Sequence, residues 1–383
     1  MIKPAISQPA ADALLAQLRS GVMRDAALAH ALLAALMPLS ISPQAAEQVL
    51  HALAHTEPQA TESPSGEFIS TLASGMLQRA QPCALRDTAL AESALDMVGT
   101  GGDMAGTFNI TTAASLLVAA CGVTVIKHGN RAISSQAGSA DVLVALGMPM
   151  PCSDAHSAKL AQSTGFCFLF APAYHTSAAA LGGVRRQLAK QGVITAFNLL
   201  GPLTNPAQPR FGVFGAGSVR SAHNMVAALQ ARTAVRGNAQ RFMVLCGPES
   251  EHGRCLDEAT GIGPFVLWQV QGGAAAREVF DPQAFDMPRC AIADLAGGVA
   301  QENAAALAQL FAPRCARSAI GDAVLLSAAI GLWCQNTASD IASGMTIAQQ
   351  AITTGRAADY LSAAQRAWGE MSPADHGGGS THG

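Results

Sequence analysis

From residue 95 onward, short apolar runs recur at 123–126, 166–170, 211–214, 242–245 and 265–270, separated by stretches long enough to hold helices. Strand-length runs alternating with helix-length segments are what a mainly parallel sheet covered by helices requires. Before residue 95 the texture differs. Residues 10–19, 25–36, 43–53 and 68–79 carry apolar side chains at helical spacing, and the Pro-, Ser- and Glu-rich stretch 55–67 between them reads as an exposed loop. Helical spacing returns in the Ala-rich segment from His175 to Leu188 and at 301–310, 320–334 and 345–368. The expected fold class is α/β: a small N-terminal α-helical domain over 1–90, with 176–192 packing on it, and a large α/β domain over 91–370. The tail 371–383 reads as disordered.

The chain has 383 residues, of which 50% are hydrophobic and 13% charged, enough to bury a large core. A net charge of -3 supplies no basic excess for nucleic-acid binding. The apolar run 323–334 is short of the roughly 20 residues that cross a bilayer, and the N-terminus lacks a signal-peptide core, so a cytoplasmic protein with no membrane partner is expected. Nine scattered cysteines without a CxxC pair suggest neither a disulfide framework nor a zinc cage.

The residues between Gly99 and Leu146 carry the chemistry. GTGGD places Gly99, Thr100, Gly101, Gly102 and Asp103 in a loop whose backbone N–H groups can crowd around an anion. Thr107, Asn109, Thr111 and Thr112 then precede an apolar helix over 113–121, at its positive N-terminus. Lys127, His128, Asn130 and Arg131 follow a strand-like run, and Ser134, Ser135 and Gly138 lead into another helix near Ala140. A lone glycine loop is more often a tight turn than a ligand site. Three such loops in succession imply a ligand with more than one phosphate.

In order, GTGGD, TFNIT, KHGNR, SSQAGSADVL, FAPAYH, VRRQL, FNLLGPLTNP and LDE resemble the anthranilate phosphoribosyltransferase family, over roughly residues 96–368. The resemblance implies a homodimer formed through the helical parts. It also implies transfer of phosphoribose from phosphoribosyl pyrophosphate to the amine of anthranilate, with Mg2+ accompanying the pyrophosphate. Gly99 to Asp103, Thr107, Asn109, Thr111, Thr112, Lys127, His128, Asn130, Ser134, Ser135 and Gly138 would hold the donor. Asp257 and Glu258 would hold the metal, with Thr111 at a hydroxyl position where Ser is usual. Gly99, His128, Asn130, His175, Arg185, Gly201 and Pro202 would surround the acceptor, and Lys127, Asn130 and Arg185 would carry catalysis. Arg185 would pair with a carboxylate through its planar fork, although pattern alone does not separate it from Arg186.

Departures from the family pattern fall mostly outside the donor loops. Met104 stands where a glycine usually follows GTGGD, Thr176 follows His175 in place of proline, and Val144 replaces a common Glu. Extra residues lie at 189–191 and 247–253. Each of these touches the acceptor side or a loop, so phosphoribosyl transfer is the firmer expectation and a substituted aromatic acid is the alternative acceptor. A pyrimidine nucleoside phosphorylase and a non-catalytic nucleic-acid-binding relative are the rival readings; the retained KHGNR and GTGGD loops and the mildly acidic charge weigh against them.

Overall fold

The computed structural model describes residues 8–370, except 21–24, 38–39, 56–65, 102–104, 133–135, 151, 194, 237–239 and 249–254. Gly102, Asp103, Met104, Ser134, Ser135, most of the expected 55–67 loop and 247–253 insertion, and the tail 371–383 lie outside the described residues.

Seven strands form one sheet: β1 (Leu95–Gly99), β2 (Val125–Gly129), β3 (Phe166–Phe170), β4 (Phe211–Gly215), β5 (Arg241–Cys246), β6 (Phe265–Gln271) and β7 (Ala274–Phe280). Their order is β3-β2-β1-β4-β5-β6-β7. The five strands from β3 to β5 pair in parallel, and β6 and β7 add antiparallel at one edge. The mainly parallel α/β sheet expected from the alternating runs is therefore present. β7 was not among those runs: its residues AAAREVF are nearly all exposed, and pairing with β6 over its full length makes it a strand.

Period-2 alternation sends successive strand side chains to opposite faces. Met243 and Leu245 join one apolar cluster with the helices Ile110–Ala120 and Ala319–Cys334. Phe242, Val244 and Cys246 join another with the helix Val219–Arg236 and the N-terminal helices Ala26–Leu36, Pro43–His55 and Gly66–Gln78. The helix Gly182–Lys190 packs against Pro43–His55, as the Ala-rich segment after His175 was expected to do.

The helical pattern over 345–368 is two helices, Ile341–Thr353 and Arg356–Gly369. Gly355 between them has φ +86°, a left-handed turn that glycine enters without a Cβ penalty and that ends helical hydrogen bonding. The second helix returns Trp368 to the core, fully buried with its ring 5.8 Å from that of Phe166.

Candidate active site

In an open parallel sheet the ligand crevice lies beyond the carboxyl ends of the strands, where the strand order reverses. Here the reversal falls at β1, with β2 and β3 on one side and β4 and β5 on the other. A cavity of about 550 Å³ opens there. Its lining includes Gly99, Thr100, Gly101, Thr107, Asn109, Thr111, Thr112, Lys127, Asn130, Gly138, Arg185, Asp257 and Glu258. Motifs spread over some 160 residues of sequence thus converge on one space.

Asp257 and Glu258 reach the cavity from the segment after β5, and both are buried. Asp257 Oδ2 accepts a hydrogen bond from the Gly101 backbone N–H at 2.8 Å. Glu258 Oε1 accepts from the Thr111 backbone N–H at 3.1 Å and from the Thr111 hydroxyl. Close approach explains the glycine that begins the loop: a Cβ on Gly99 would lie 2.3 Å from Asp257 Oδ2. It also corrects the expectation of a bare anion-binding helix N-terminus at 110–112, because the Thr111 N–H there already carries a carboxylate. A polyanion entering the cavity faces two negative charges held against the loops meant to bind it.

Lys127, expected to neutralise a phosphate, lines the cavity but is only 1% exposed, and its ammonium donates to the Met97 carbonyl. Burial pushes its pKa down, while the carboxylates of Asp96, Glu258 and Asp257 pull it up. It is the buried counter-charge beneath the acidic pair. Asp96 is fully buried on β1, its pKa raised to about 6 by burial against the opposing pull of Lys127. Its Oδ1 accepts from the His128 backbone N–H at 3.1 Å and its Oδ2 from Asn205 Nδ2 at 3.0 Å, while Asn205 Nδ2 also donates to the Ile126 carbonyl at 2.8 Å. One carboxylate thereby ties β1 to β2 and to the loop after the FNLLGP helix. FNLLGPLTNP marks that loop, but no pattern in the sequence pairs it with Asp96.

His128, His175, Gly201 and Pro202, expected around an acceptor, are not among the residues lining this cavity. His128 and His175 pack on each other and on the backbone of the FNLLGPLTNP segment. The two imidazole rings lie 5.3 Å apart, edge to face, and both are buried. His128 Nδ1 faces the Gly201 carbonyl at 3.2 Å and His175 Nε2 the Thr204 carbonyl at 2.8 Å, so each of these nitrogens carries the proton. Burial and the neighbouring ring lower His128 to about 3, and burial lowers His175 as well, leaving both neutral at pH 7. Lys127 and His128 are adjacent on β2 and so point to opposite faces, which is why only the lysine reaches the cavity.

Arg185 lines the cavity half-buried, its guanidinium 5.9 Å from the Phe197 ring centroid, whereas Arg186 is exposed. Burial pushes the pKa of Arg185 down, and no carboxylate pairs with it among the described residues. The structure also adds lining residues that the site reading left out, among them Arg131, Ser139, Thr195 and Asn198. Arg131 sits within KHGNR and was available from that motif; its guanidinium pairs with Asp141 at 3.2 Å. Thr195 and Asn198, hydrogen-bonded to each other at the start of the helix Ala196–Leu203, carried only the signal of a helix cap.

A crevice at the switch point of a mainly parallel sheet, walled by glycine loops and an acidic pair, is the ligand site of an open α/β fold. Residues 91–358 accordingly match the family described as glycosyl transferase family, a/b domain. The chain is 40% identical to anthranilate phosphoribosyltransferase of Salinispora arenicola over 298 residues, 76% of this chain and 80% of that protein. It is 37% identical to the enzyme of the same name from Chlorobium phaeovibrioides over 302 residues, 78% of this chain and 81% of that one. The crystal structure of anthranilate phosphoribosyltransferase from Thermus thermophilus superimposes with a TM-score of 0.78 at 31% identity, covering 93% of this chain and 99% of the other. The Saccharomyces cerevisiae enzyme in complex with PRPP and Mg shares the fold, with a TM-score of 0.79 at 23% identity over 95% and 99% of the two chains. The chain belongs to the anthranilate phosphoribosyltransferase family.

Proposed function

We propose that this chain transfers the phosphoribosyl group of 5-phosphoribosyl 1-pyrophosphate to the amine of anthranilate, giving N-(5-phosphoribosyl)anthranilate and pyrophosphate. The observation that carries the proposal is a single cavity with an acidic pair pinned to glycine-loop amides on one side and a desolvated guanidinium, unpaired among the described residues, on the other. The first suits a polyanionic donor bound with a cation, and the second suits an aromatic carboxylate.

The donor set fits Mg2+. Asp257, Glu258 and the Thr111 hydroxyl are hard oxygens, and among the described residues no cluster of three or more His, Cys, Asp or Glu forms a ready cage. A site that leaves phosphate oxygens and water to complete the shell is what magnesium favours. When bound, the metal screens the charge that develops on the departing pyrophosphate. The Gly99–Asp103 loop, Asn109, Thr111, Thr112, Asn130, Gly138, Ser134 and Ser135 would bind the donor's phosphates and ribose. Lys127 would offset the acidic pair from below, so that the pocket is not prohibitively negative before the donor arrives.

Arg185 would hold the anthranilate carboxylate in a bidentate contact and so aim the amine at C1 of the sugar. An aromatic amine is neutral and nucleophilic at pH 7, so displacement with inversion needs positioning more than a strong base. Asn130 lines the same cavity between the two ends. His128 and His175 would act from behind it, fixing the position of the Gly201 and Thr204 carbonyls. With this reading go a homodimer formed through the helical parts, a helical domain over 1–90 with 176–192, an α/β domain over 91–370 and a cytoplasmic location. These rest on the family resemblance; no helix among the described residues is long and apolar enough to cross a membrane.

The test is the loss of anthranilate fluorescence on mixing purified protein with phosphoribosyl pyrophosphate and magnesium. No loss with anthranilate, but turnover with a substituted aminobenzoate, would move the acceptor. Phosphorolysis of thymidine or uridine in its place would replace the reading.

A further inference from the structure

Asn109 occupies the N-cap position of the helix Ile110–Ala120, where an Asn side chain ordinarily accepts a hydrogen bond from its own helix. It makes no such bond. Its Nδ2 donates instead to the Ala137 carbonyl at 3.0 Å, and its Oδ1 accepts from Asn303 Nδ2 at 2.8 Å. Asn303, 194 residues further along the chain and only 4% exposed, is itself held in one orientation. The Gly298 backbone N–H, which can only donate, points at Asn303 Oδ1 at 2.8 Å, so the Asn303 amide nitrogen must face Asn109.

Orientation therefore passes from one amide to the next. With Asn303 presenting N–H groups, Asn109 must present its oxygen to Asn303 and its NH2 to the Ala137 side. Among the described residues Asn109 Nδ2 has one protein acceptor for its two donors, which leaves one N–H over at the cavity lining. An anionic ligand needs a donor there and would be repelled by the amide oxygen. The segment bearing Asn303 also presses on the donor loop through its backbone. Phe108 N–H donates to the Leu295 carbonyl at 2.8 Å and Gly297 N–H to the Gly106 carbonyl at 2.9 Å, and a Cβ on Gly297 would lie 2.8 Å from the Thr107 carbonyl oxygen.

We propose that Asn303 is a positioning residue for donor binding: it locks the Asn109 amide so that its N–H, and not its carbonyl, meets the phosphoribosyl pyrophosphate. The inference rests on the reading of this cavity as a phosphoribosyl pyrophosphate site. Asn303→Asp is the sharp variant, because it keeps the size and the bond from Gly298 N–H while removing the donor to Asn109; it also removes the 3.2 Å bond from Asn303 Nδ2 to the Gly298 carbonyl, which the Asn109→Ala background controls for. Calorimetric titration of the full chain with phosphoribosyl pyrophosphate and magnesium reads donor binding without reference to any acceptor. The expected result is a dissociation constant raised about tenfold in Asn303→Asp, with the thermal midpoint and the KM for anthranilate little changed. In an Asn109→Ala background the same substitution should add less than about twofold, since the route through Asn109 is gone and only the lost bond to the Gly298 carbonyl and the added charge remain.

Additive effects in the two backgrounds, or equal weakening of donor and acceptor, would make Asn303 a general structural residue and overturn the proposal. An unchanged constant in Asn303→Asp would also overturn it. If the wild-type chain does not bind phosphoribosyl pyrophosphate at all, the site reading falls and takes this inference with it, whereas donor binding with no turnover of anthranilate would remove only the acceptor.

Discussion

The carboxylate of Asp257 and the backbone N–H of Gly101 meet at 2.8 Å across the mouth of the sheet, although 156 residues separate them in sequence. With Glu258 on Thr111, this contact sets two carboxylates on the loops proposed to hold the pyrophosphate. If the pair holds the metal as proposed, a polyanion taking the loop N–H groups would free the carboxylates for the cation, which would couple donor and metal binding. Replacing both, as Asp257→Asn with Glu258→Gln, should leave the fold intact and lower turnover by a factor on the order of 100 or more. Full activity of the double variant at limiting magnesium, measured by anthranilate fluorescence, would refute the metal assignment.

The same contact gives Gly99 its part in the proposed donor site through what it lacks. A methyl group there would sit 2.3 Å from Asp257 Oδ2, so the carboxylate must move off the loop. Gly99→Ala should weaken donor binding by about tenfold or more, the scale of one charge-assisted hydrogen bond, with the anthranilate KM nearly constant. Equal change in both constants would indicate a distorted fold and not a displaced carboxylate.

Much of this site could be read along the chain because its loops are continuous motifs with their own chemistry. The type and order of those motifs group Gly99, Thr111 and Asp257, and all three line the cavity. Depth was not legible. Lys127 and His128 stand side by side in KHGNR, yet the strand alternation buries one behind the sheet and turns the other to the cavity, and only the register of β2 between β1 and β3 decides which. Nor could sequence reveal Asn303, whose partner Asn109 lies 194 residues away, or β7, whose residues carry no strand pattern and become a strand through β6. The break at Gly355 was hidden because apolar spacing continues on either side of it.

The buried histidine pair should make the protein acid-labile. His128 is held near 3 in the folded state against an ordinary 6.5, mainly by burial. Between these values the unfolded chain binds the proton and the folded chain does not, so stability is present above pH 6.5 and is lost as pH falls through the window. The His128 contribution lost across it is on the order of 4–5 kcal/mol, about half of it by pH 4.5, and Asp96, raised to about 6, offsets part of this by taking up a proton in the folded chain over the same window. Urea unfolding at pH 7 and pH 4.5 measures it. His128→Asn, which keeps a donor for the Gly201 carbonyl, should flatten the dependence, and an unaltered slope would mean that other groups set the acid limit.

Arg185 and Arg186 give the most direct test of the acceptor. They are adjacent on the helix Gly182–Lys190, but only Arg185 lines the cavity, half-buried and without an acidic partner among the described residues, while Arg186 is exposed. A partly desolvated guanidinium without an anion favours one, and a planar carboxylate with two parallel acceptors is the group that best suits its fork. Lysine keeps the charge and loses the fork, so Arg185→Lys should lower kcat/KM for anthranilate by roughly 30-fold or more, equivalent to about 2 kcal/mol. Binding of phosphoribosyl pyrophosphate should stay within about twofold of wild type, and Arg186→Lys should be close to neutral in both measurements. A large loss at Arg186 alone would mean that the helix turns its other face inward when substrate binds. No loss at either position would rule out an acceptor carboxylate held by this helix and would return attention to Arg131, the other guanidinium on the cavity wall.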